Sequence, residues 1–339
     1  MTTEEFIEQF NAADYLPIGY YPWPDTINPH VEQMGKDVDQ WIDTDYVSWP
    51  EKIKEKYRKM VLHDVSARML PYVSENKMRP FNRFLFFLTS FDDQHELLSV
   101  EELEQCRKRM MEILDGDMPT QEEKGWYSQL ALIRDEANEF MPELWMKRFA
   151  QELSDFVQYG MGGEVPFKVN KTFPSTAHFM TFREFSIGMR PCLIAAEFML
   201  ADVLPDTIAN HPVLRRLLAL AARIVAWQND IHSLRKEYGK DTETLNLIFV
   251  LQRENNLSLE EAVEECMRIH DEEVEEFISL QTNLPDFGIY NESVATYVLG
   301  LGIQIQGVNT YYLSGTQRYL IRGAGFAWPE KAFEEDTSL

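Results

Sequence analysis

Two short stretches carry oxygen ligands at spacings that a hard cation could use. In RFLFFLTSFDDQHELL, Asp92, Asp93 and Glu96 close an extremely apolar run. On a helix Asp92 and Glu96 share a face, with Asp93 about 100° round, so two or three carboxylates converge where the preceding residues predict burial. Like charges that close call for a cation, unless they simply mark the exposed end of a core helix. In AWQNDIHSLRKEYGK, Asn229, Ser233 and Glu237 stand at i, i+4 and i+8. That spacing drifts only about 40° per step, so amide, hydroxyl and carboxylate oxygens form a ladder along one helix face, with Lys236 beside it as a donor to an anion. Such donors suit Mg²⁺, which keeps waters and takes phosphate oxygens as further ligands. His95 has no HExxH-type partner, and Cys106, Cys192 and Cys266 are widely spaced without a CxxC or Cys/His pairing, so neither zinc nor a disulfide framework is expected.

The elements that must hold these groups read as helical. Capping boxes at Ser99/Glu102, Thr120/Glu123 and Ser258/Glu261 mark helix starts. Apolar periods of about 3.6 run through 53–70, 82–98, 140–157, 177–189, 191–203, 212–238 and 294–312. Breakers fall at Gly116 with Pro119, at Gly160, Gly162, Gly163 and Pro166, at Pro205, and at Pro285 with Gly288. The first fifty residues, rich in Pro and aromatics, read as an irregular arm lying across the body. The acidic face of the helix opening at Ser258 reads as solvated surface, because an apolar stripe alternates with it. With no convincing strand and no repeat, the expectation is one all-α domain of ten or more helices.

Composition sets the partners. With 32 Lys and Arg against 56 Asp and Glu the net charge is −24, which argues against nucleic acid and against any polyphosphate held without a metal. The 45% hydrophobic content excludes general disorder. The most apolar stretches are interrupted by Arg215, Arg216 and Arg223, so no membrane span is expected, and the acidic N-terminus is no leader peptide, making a cytoplasmic location the default.

Together these residues resemble microbial class I terpene synthases. Asp92, Asp93 and Glu96 match that family's DDxx(D/E) motif, and Asn229, Ser233 and Glu237 match its NDxxSxxxE motif, with Asp230 and Lys236 matching as well. The family's diphosphate-sensing Arg lies 46 residues before the Asn, and 229 minus 46 is Arg183; its C-terminal Arg-Tyr pair is Arg318 and Tyr319 here. The family often has Trp and Asn where this chain has Tyr311 and Val308. The resemblance runs from about Asn28 to Leu320. It implies a single-domain helical bundle of the class I terpenoid (isoprenoid) synthase fold with a central active-site cavity: an arm over the active site at 1–50, the α domain at 51–320 and a tail at 321–339.

The resemblance further implies three Mg²⁺ ions, two on the Asp92 motif and one on the Asn229 ladder, with Mn²⁺ as a substitute. Arg183, Lys236, Arg318 and Tyr319 would bind the diphosphate, with Ser186 as linker and Ile187 as effector at the helix break. Candidate walls one and two turns before the motifs are Leu85, Leu88, Thr89, Phe179, Ala222 and Val225, each of which could equally be ordinary core, as could Trp227, Phe86 and Phe87. The implied substrate is farnesyl diphosphate, cyclised to a sesquiterpene, with the C20 homologue as runner-up. A chain-elongating prenyltransferase is disfavoured because it would carry a second DDxxD in place of the ladder, and a non-catalytic helical ligand binder is the reading from another class. Oligomeric state stays open, a homodimer included.

Overall fold

The computed structural model describes residues 2–123, 125–239, 244–314 and 316–319. Its helices are α1 (Thr3–Gln9), α2 (Val31–Thr44), α3 (Glu51–Met60), α4 (Leu62–Met69), α5 (Glu75–His95), α6 (Val100–Leu114), α7 (Trp126–Asn138), α8 (Glu143–Asp155), α9 (Gly162–Asn170), α10 (Thr176–Ser186), α11 (Met189–Leu193), α12 (Asp206–Ala209), α13 (Pro212–Glu237), α14 (Leu247–Asn255), α15 (Leu259–Thr282) and α16 (Asn291–Leu313). Among the described residues there is no β-strand, and no helix is long and apolar enough to cross a membrane. The expected tail at 321–339 lies outside the described residues.

Helices α4, α5, α10, α11, α13 and α16 surround an internal cavity. Helix α13 can run through the interior because apolar residues lie on opposite faces of it: Leu217, Ile224 and Ile231 on one and Ala222 and Ala226 on the other are all fully buried. Helix α15 covers it from outside, with Ala262, Val263, Cys266 and Phe277 inward and Glu260, Glu264 and Glu272 exposed, as its alternating pattern predicts. Glu273 is an exception, buried and taken by Arg223 and the Trp227 indole. The boxes at Ser99 and Ser258 both close on their Glu partners. At Thr120 only a turn forms, and the helix starts at Trp126; Glu123 accepts from the Thr120 amide but also binds Arg109, which holds it where it cannot open a helix.

Three other expectations are corrected. The single helix expected over 53–70 breaks at Val61, which takes a left-handed φ of 54° and separates α3 from α4. The first fifty residues are only partly an irregular arm, since 31–44 form α2, whose Met34, Val38, Trp41 and Ile42 join the core. The rest of the segment is pinned across α4, α13, α15 and α16: Asn28 donates to the Leu70 and Val73 carbonyls, Tyr21 bonds His270 and Gln228, and Asn309 donates to the Leu16 and Pro17 carbonyls. None of residues 2–50 lines the cavity.

The third correction concerns Gly160 to Pro166, where the chain does not break. α8 passes through one π-helical stretch, Phe156–Met161, and continues as α9. The glycine at 160 serves close approach: a Cβ there would lie 2.7 Å from Ser186 Cα and 2.8 Å from Ser186 N, backbone atoms at the end of α10 that cannot swing aside. Gly160→Ala is therefore expected to cost about 1–3 kcal/mol in denaturant unfolding, with helix content retained; an unchanged midpoint would show that this contact is loose.

Candidate active site

The carboxylates at the end of α5 diverge more than their spacing suggests. Asp92 lines the cavity. Asp93 is buried and engaged: Arg318 donates Nη2 to Oδ1 at 2.8 Å and Nη1 to Oδ2 at 3.0 Å, and the Tyr57 hydroxyl lies 3.4 Å from Oδ2. Glu96, one turn beyond Asp92, stands 3.6 Å from Lys168 Nζ. Burial, with Asp93 and Glu164 adding repulsion against the pull of Lys168, pushes the Asp92 carboxyl up to about 7. Burial and the neighbouring acids push Glu96 to about 7 as well. Both carboxylates also sit at a helix C-terminus, where the backbone dipole opposes negative charge. His95 is not part of this group; it stacks on Phe91 and donates from Nδ1 to the Phe91 carbonyl.

The opposite wall is the ladder on α13. Arg183 donates to Asn229 Oδ1 at 2.9 Å and to Asp230 Oδ1 at 2.6 Å, which fixes the Asn229 amide so that its Nδ2 meets the Tyr312 and Tyr319 hydroxyls, each at 3.2 Å. Burial lifts Asp230 to about 6 despite Arg183, and its second oxygen accepts the Leu247 amide that opens α14. Ser233 is fully buried, and its Oγ has no hydrogen-bond partner among the described residues. Glu237 accepts from Asn246 Nδ2 and lies 3.5 Å from Lys236 Nζ, which sits over the Tyr319 ring.

These donors fit hard divalent cations. Among the described residues no three Asp, Glu, His or Cys side chains form a ready cluster. The oxygens are divided between two walls, and each wall carries an uncompensated feature: on one side carboxylates in an environment that disfavours their charge, on the other a buried hydroxyl without a partner. A cation with waters and an anionic ligand between the walls would satisfy both.

Between the walls opens a cavity of about 170 Å³. Leu85, Leu88, Thr89, Ile187 and Val225 line it as expected, with Asp92, Arg183, Ser186, Asn229, Arg318 and Tyr319 at its polar end. Asp93, Glu96, Ser233, Lys236 and Glu237 stand near these residues without lining the cavity. Phe179 is corrected: it is fully buried against Phe182 and Trp227, in the core and not in the wall. The long Arg183 side chain reaches the site from that same buried face, whereas a phenyl ring one turn earlier ends in the α10–α13 contact. Ala222, Phe86, Phe87 and Trp227 are likewise core.

Sequence reasoning missed the rest of the wall, formed by Leu62, Val65 and Met69 of α4, Phe156 of the π-helical stretch, Met189 and Cys192 of α11, and Val308 and Tyr311 of α16. Val308 and Tyr311 could have been found from the family positions they occupy, where Asn and Trp often stand; Phe156 could not, because its orientation depends on the π register. Gly188, at φ 71°, lets the break between α10 and α11 fold over the cavity; a Cβ there would meet Leu88 at 3.2 Å and Phe156 at 3.4 Å. The arrangement can therefore hold a metal-bound anion at one end and enclose an apolar chain at the other.

The chain is similar to proteins of known sequence and structure. The chain is 26% identical over 293 residues to germacrene A synthase of Nostoc punctiforme, covering 85% of this chain and 90% of that one. It is 24% identical over 309 residues to (+)-T-muurolol synthase of Roseiflexus castenholzii, covering 90% and 94%. Among solved structures, the SVS_A2 protein from ancestral sequence reconstruction superposes with a TM-score of 0.79 at 21% identity, covering 91% of this chain and 93% of that one. Hedycaryol synthase in complex with nerolidol superposes with a TM-score of 0.72 at 18% identity, covering 87% and 99%. These structures share the all-α fold. The model of terpene synthase family 2, C-terminal metal binding, matches residues 83–276, a stretch that runs from the helix of Asp92 through Arg183 to the ladder of Asn229 and beyond. The chain belongs to terpene synthase family 2.

Proposed function

We propose that this terpene synthase ionises farnesyl diphosphate and cyclises the resulting cation to a sesquiterpene. The observation that carries the reading is that Asp92 and Asn229, from opposite walls, line the polar end of one otherwise apolar cavity into which Arg183, Arg318 and Tyr319 also open. Two relatives support the choice of substrate: the Roseiflexus enzyme and 4-epi-cubebol synthase of Streptosporangium roseum are described as cyclising (2E,6E)-farnesyl diphosphate. No feature of the cavity favours the C20 substrate.

Mg²⁺, expected as three ions or replaced by Mn²⁺, would be held by Asp92, Asp93 and Glu96 on one wall and by Asn229, Ser233 and Glu237 on the other, supplying the positive charge that an acidic protein lacks for a diphosphate leaving group. Arg183, Lys236, Arg318 and Tyr319 would donate hydrogen bonds to the diphosphate oxygens, and these bonds strengthen as the C–O bond breaks and its electron pair leaves with the diphosphate. Arg318 and Arg183 are already charged and aimed at the site, held by Asp93 and by Asp230 with Asn229. The allylic cation is shielded by Leu85, Leu88, Ile187 and Val225, while the faces of Phe156 and Tyr311 offer cation-π attraction worth about 2 kcal/mol when desolvated. Tyr311 is fixed for this by its hydroxyl, which donates to the Met60 carbonyl at 2.7 Å. Attack of a chain double bond on the cation closes the ring, and the reaction ends when the cyclic cation gives up a proton to the released diphosphate or is captured by water, whose proton goes the same way.

Asp92→Asn and Asn229→Leu are each expected to lower diphosphate release at least about a hundredfold, with circular dichroism unchanged; wild-type turnover in both would remove the site assignment. Thr89 or Val225 substitutions should shift the product mixture seen by gas chromatography and mass spectrometry, whereas Phe179→Leu should lower thermal stability and leave the mixture as it was. Incubation with Mg²⁺ and the C10, C15, C20 and C25 diphosphates in parallel should give cyclic products from the C15 substrate, and products from C20 alone would overturn the substrate assignment.

A further inference from the structure

One cation near the acidic wall has no part in the reading above. Lys168 lies in the last turn of α9, with its side chain 21% exposed, and its Nζ is 2.8 Å from Glu164 Oε2 and 3.6 Å from Glu96 Oε2. Among the described residues it is the only Lys or Arg within 4.0 Å of Glu96. Glu164, itself buried, stands 4.0 Å from Arg183 Nη1 through its other oxygen. A chain of charge thus runs from Glu96 through Lys168 and Glu164 to Arg183, and on to Asn229 and Asp230. It crosses from the acidic wall to the ladder along the flank of the cavity.

A surface i,i+4 pair such as Lys147 with Glu143, both exposed, explains itself as solvated charge. Lys168 differs, because an ammonium withdrawn from water costs more than one partner usually returns, unless further negative charge awaits it. Asp92 and Glu96 supply that charge, and Arg318 cannot stand in at Glu96 because it is committed to Asp93. The geometry points to Lys168 as a positioning residue that occupies, with its own charge, the electrostatic place of a divalent cation beside Asp92 and Glu96. Its ammonium offsets part of their negative charge in the empty enzyme and competes with metal ions that arrive alone. Ions arriving with a diphosphate prevail, since the anion recruits Arg183 and adds its own oxygens as ligands. Lys168 thereby sets the order of assembly, and Glu164 links it to the diphosphate-sensing Arg183. The inference rests on the metal-site reading proposed above.

The test is Mn²⁺ titration of metal-stripped full-length protein, read by the paramagnetic resonance of the free ion, without and with pyrophosphate. Lys168→Met should lower the half-saturating Mn²⁺ concentration without pyrophosphate by at least about tenfold, the scale expected for removing one unit charge a few ångströms from a partly desolvated ligand set. Lys168→Arg, which keeps the charge, should stay close to wild type. Glu164→Gln should move the titration the opposite way, toward weaker binding, because it frees Lys168 for Glu96 and removes an anion. Should Lys168→Met yield no folded protein, the Glu164→Gln arm decides alone. Wild-type Mn²⁺ affinity in the folded variants, with pyrophosphate-dependent binding intact, overturns the role of Lys168 only. A raised KM with Mn²⁺ binding unchanged does the same and makes Lys168 a substrate contact. Absence of Mn²⁺ binding in wild type even with pyrophosphate overturns the metal-site reading together with this one.

Discussion

Concentrated negative charge in a place with little water is the constraint around which the site is built. Asp92, Asp93, Glu96, Glu164 and Asp230 gather about one end of an apolar cavity, and each isolated carboxylate there would cost several kcal/mol to keep ionised. The fold answers with cations brought from distant parts of the chain: Arg318 to Asp93, Arg183 to Asp230, and Lys168 to Glu164 and Glu96. Among the described residues these five carboxylates meet only three cations in the ion pairs above, and the deficit falls at Asp92 and Glu96, whose carboxyls are pushed up to about 7 by burial. That deficit is what the proposed metal ions would make good.

The rest of the architecture serves this balance. α13 is apolar on opposite faces so as to carry Asn229 and Asp230 into the interior, so α15 and the N-terminal segment have to cover it, and they do so with the Tyr21, Gln228 and His270 bonds. α16 must end where the chain can turn back to place Arg318 beside Asp93, 225 residues earlier in sequence. Its last turn stays anchored through Tyr311 to the Met60 carbonyl at the end of α3, close to the left-handed break at Val61 that a reading of apolar period alone passes over.

What was legible in the residues followed from local rules. The i, i+4, i+8 ladder on α13 and the Asp92–Glu96 relation on α5 depend only on helical phase within a few turns; α13 formed at the expected bounds, whereas α5 runs from Glu75 to His95 against an expected 82–98. The interval from Arg183 to Asn229 is a long-range fact, supplied by resemblance, and the structure brings the two within 2.9 Å. Less legible was whatever depends on which neighbour a face meets. Phe179 shares the apolar pattern of a wall residue but meets Trp227, and Asp93 looked like a third converging carboxylate until Arg318 claimed it. Lys168 gave no signal, because a Lys four residues after a Glu is commonplace on any helix surface, and Gly160 read as a break when its lack of a side chain was needed for contact.

The π-helical stretch at Phe156–Met161 places one surplus residue in an otherwise continuous helix. A residue more or less in a helix turns everything beyond it by about 100°. On one side of the stretch α8 holds the outer layer with Trp145 and Phe149, and on the other α9 presents Glu164 and Lys168 to the site. Deleting any one residue of Phe156–Met161 would let the hydrogen-bond ladder relax to ordinary α-helix while rotating the charged end out of alignment with Glu96. This segment should therefore tolerate substitution of its outward side chains but keep its length unchanged, so that among related chains the count of residues between Phe149 and Lys168 would vary less than their identities.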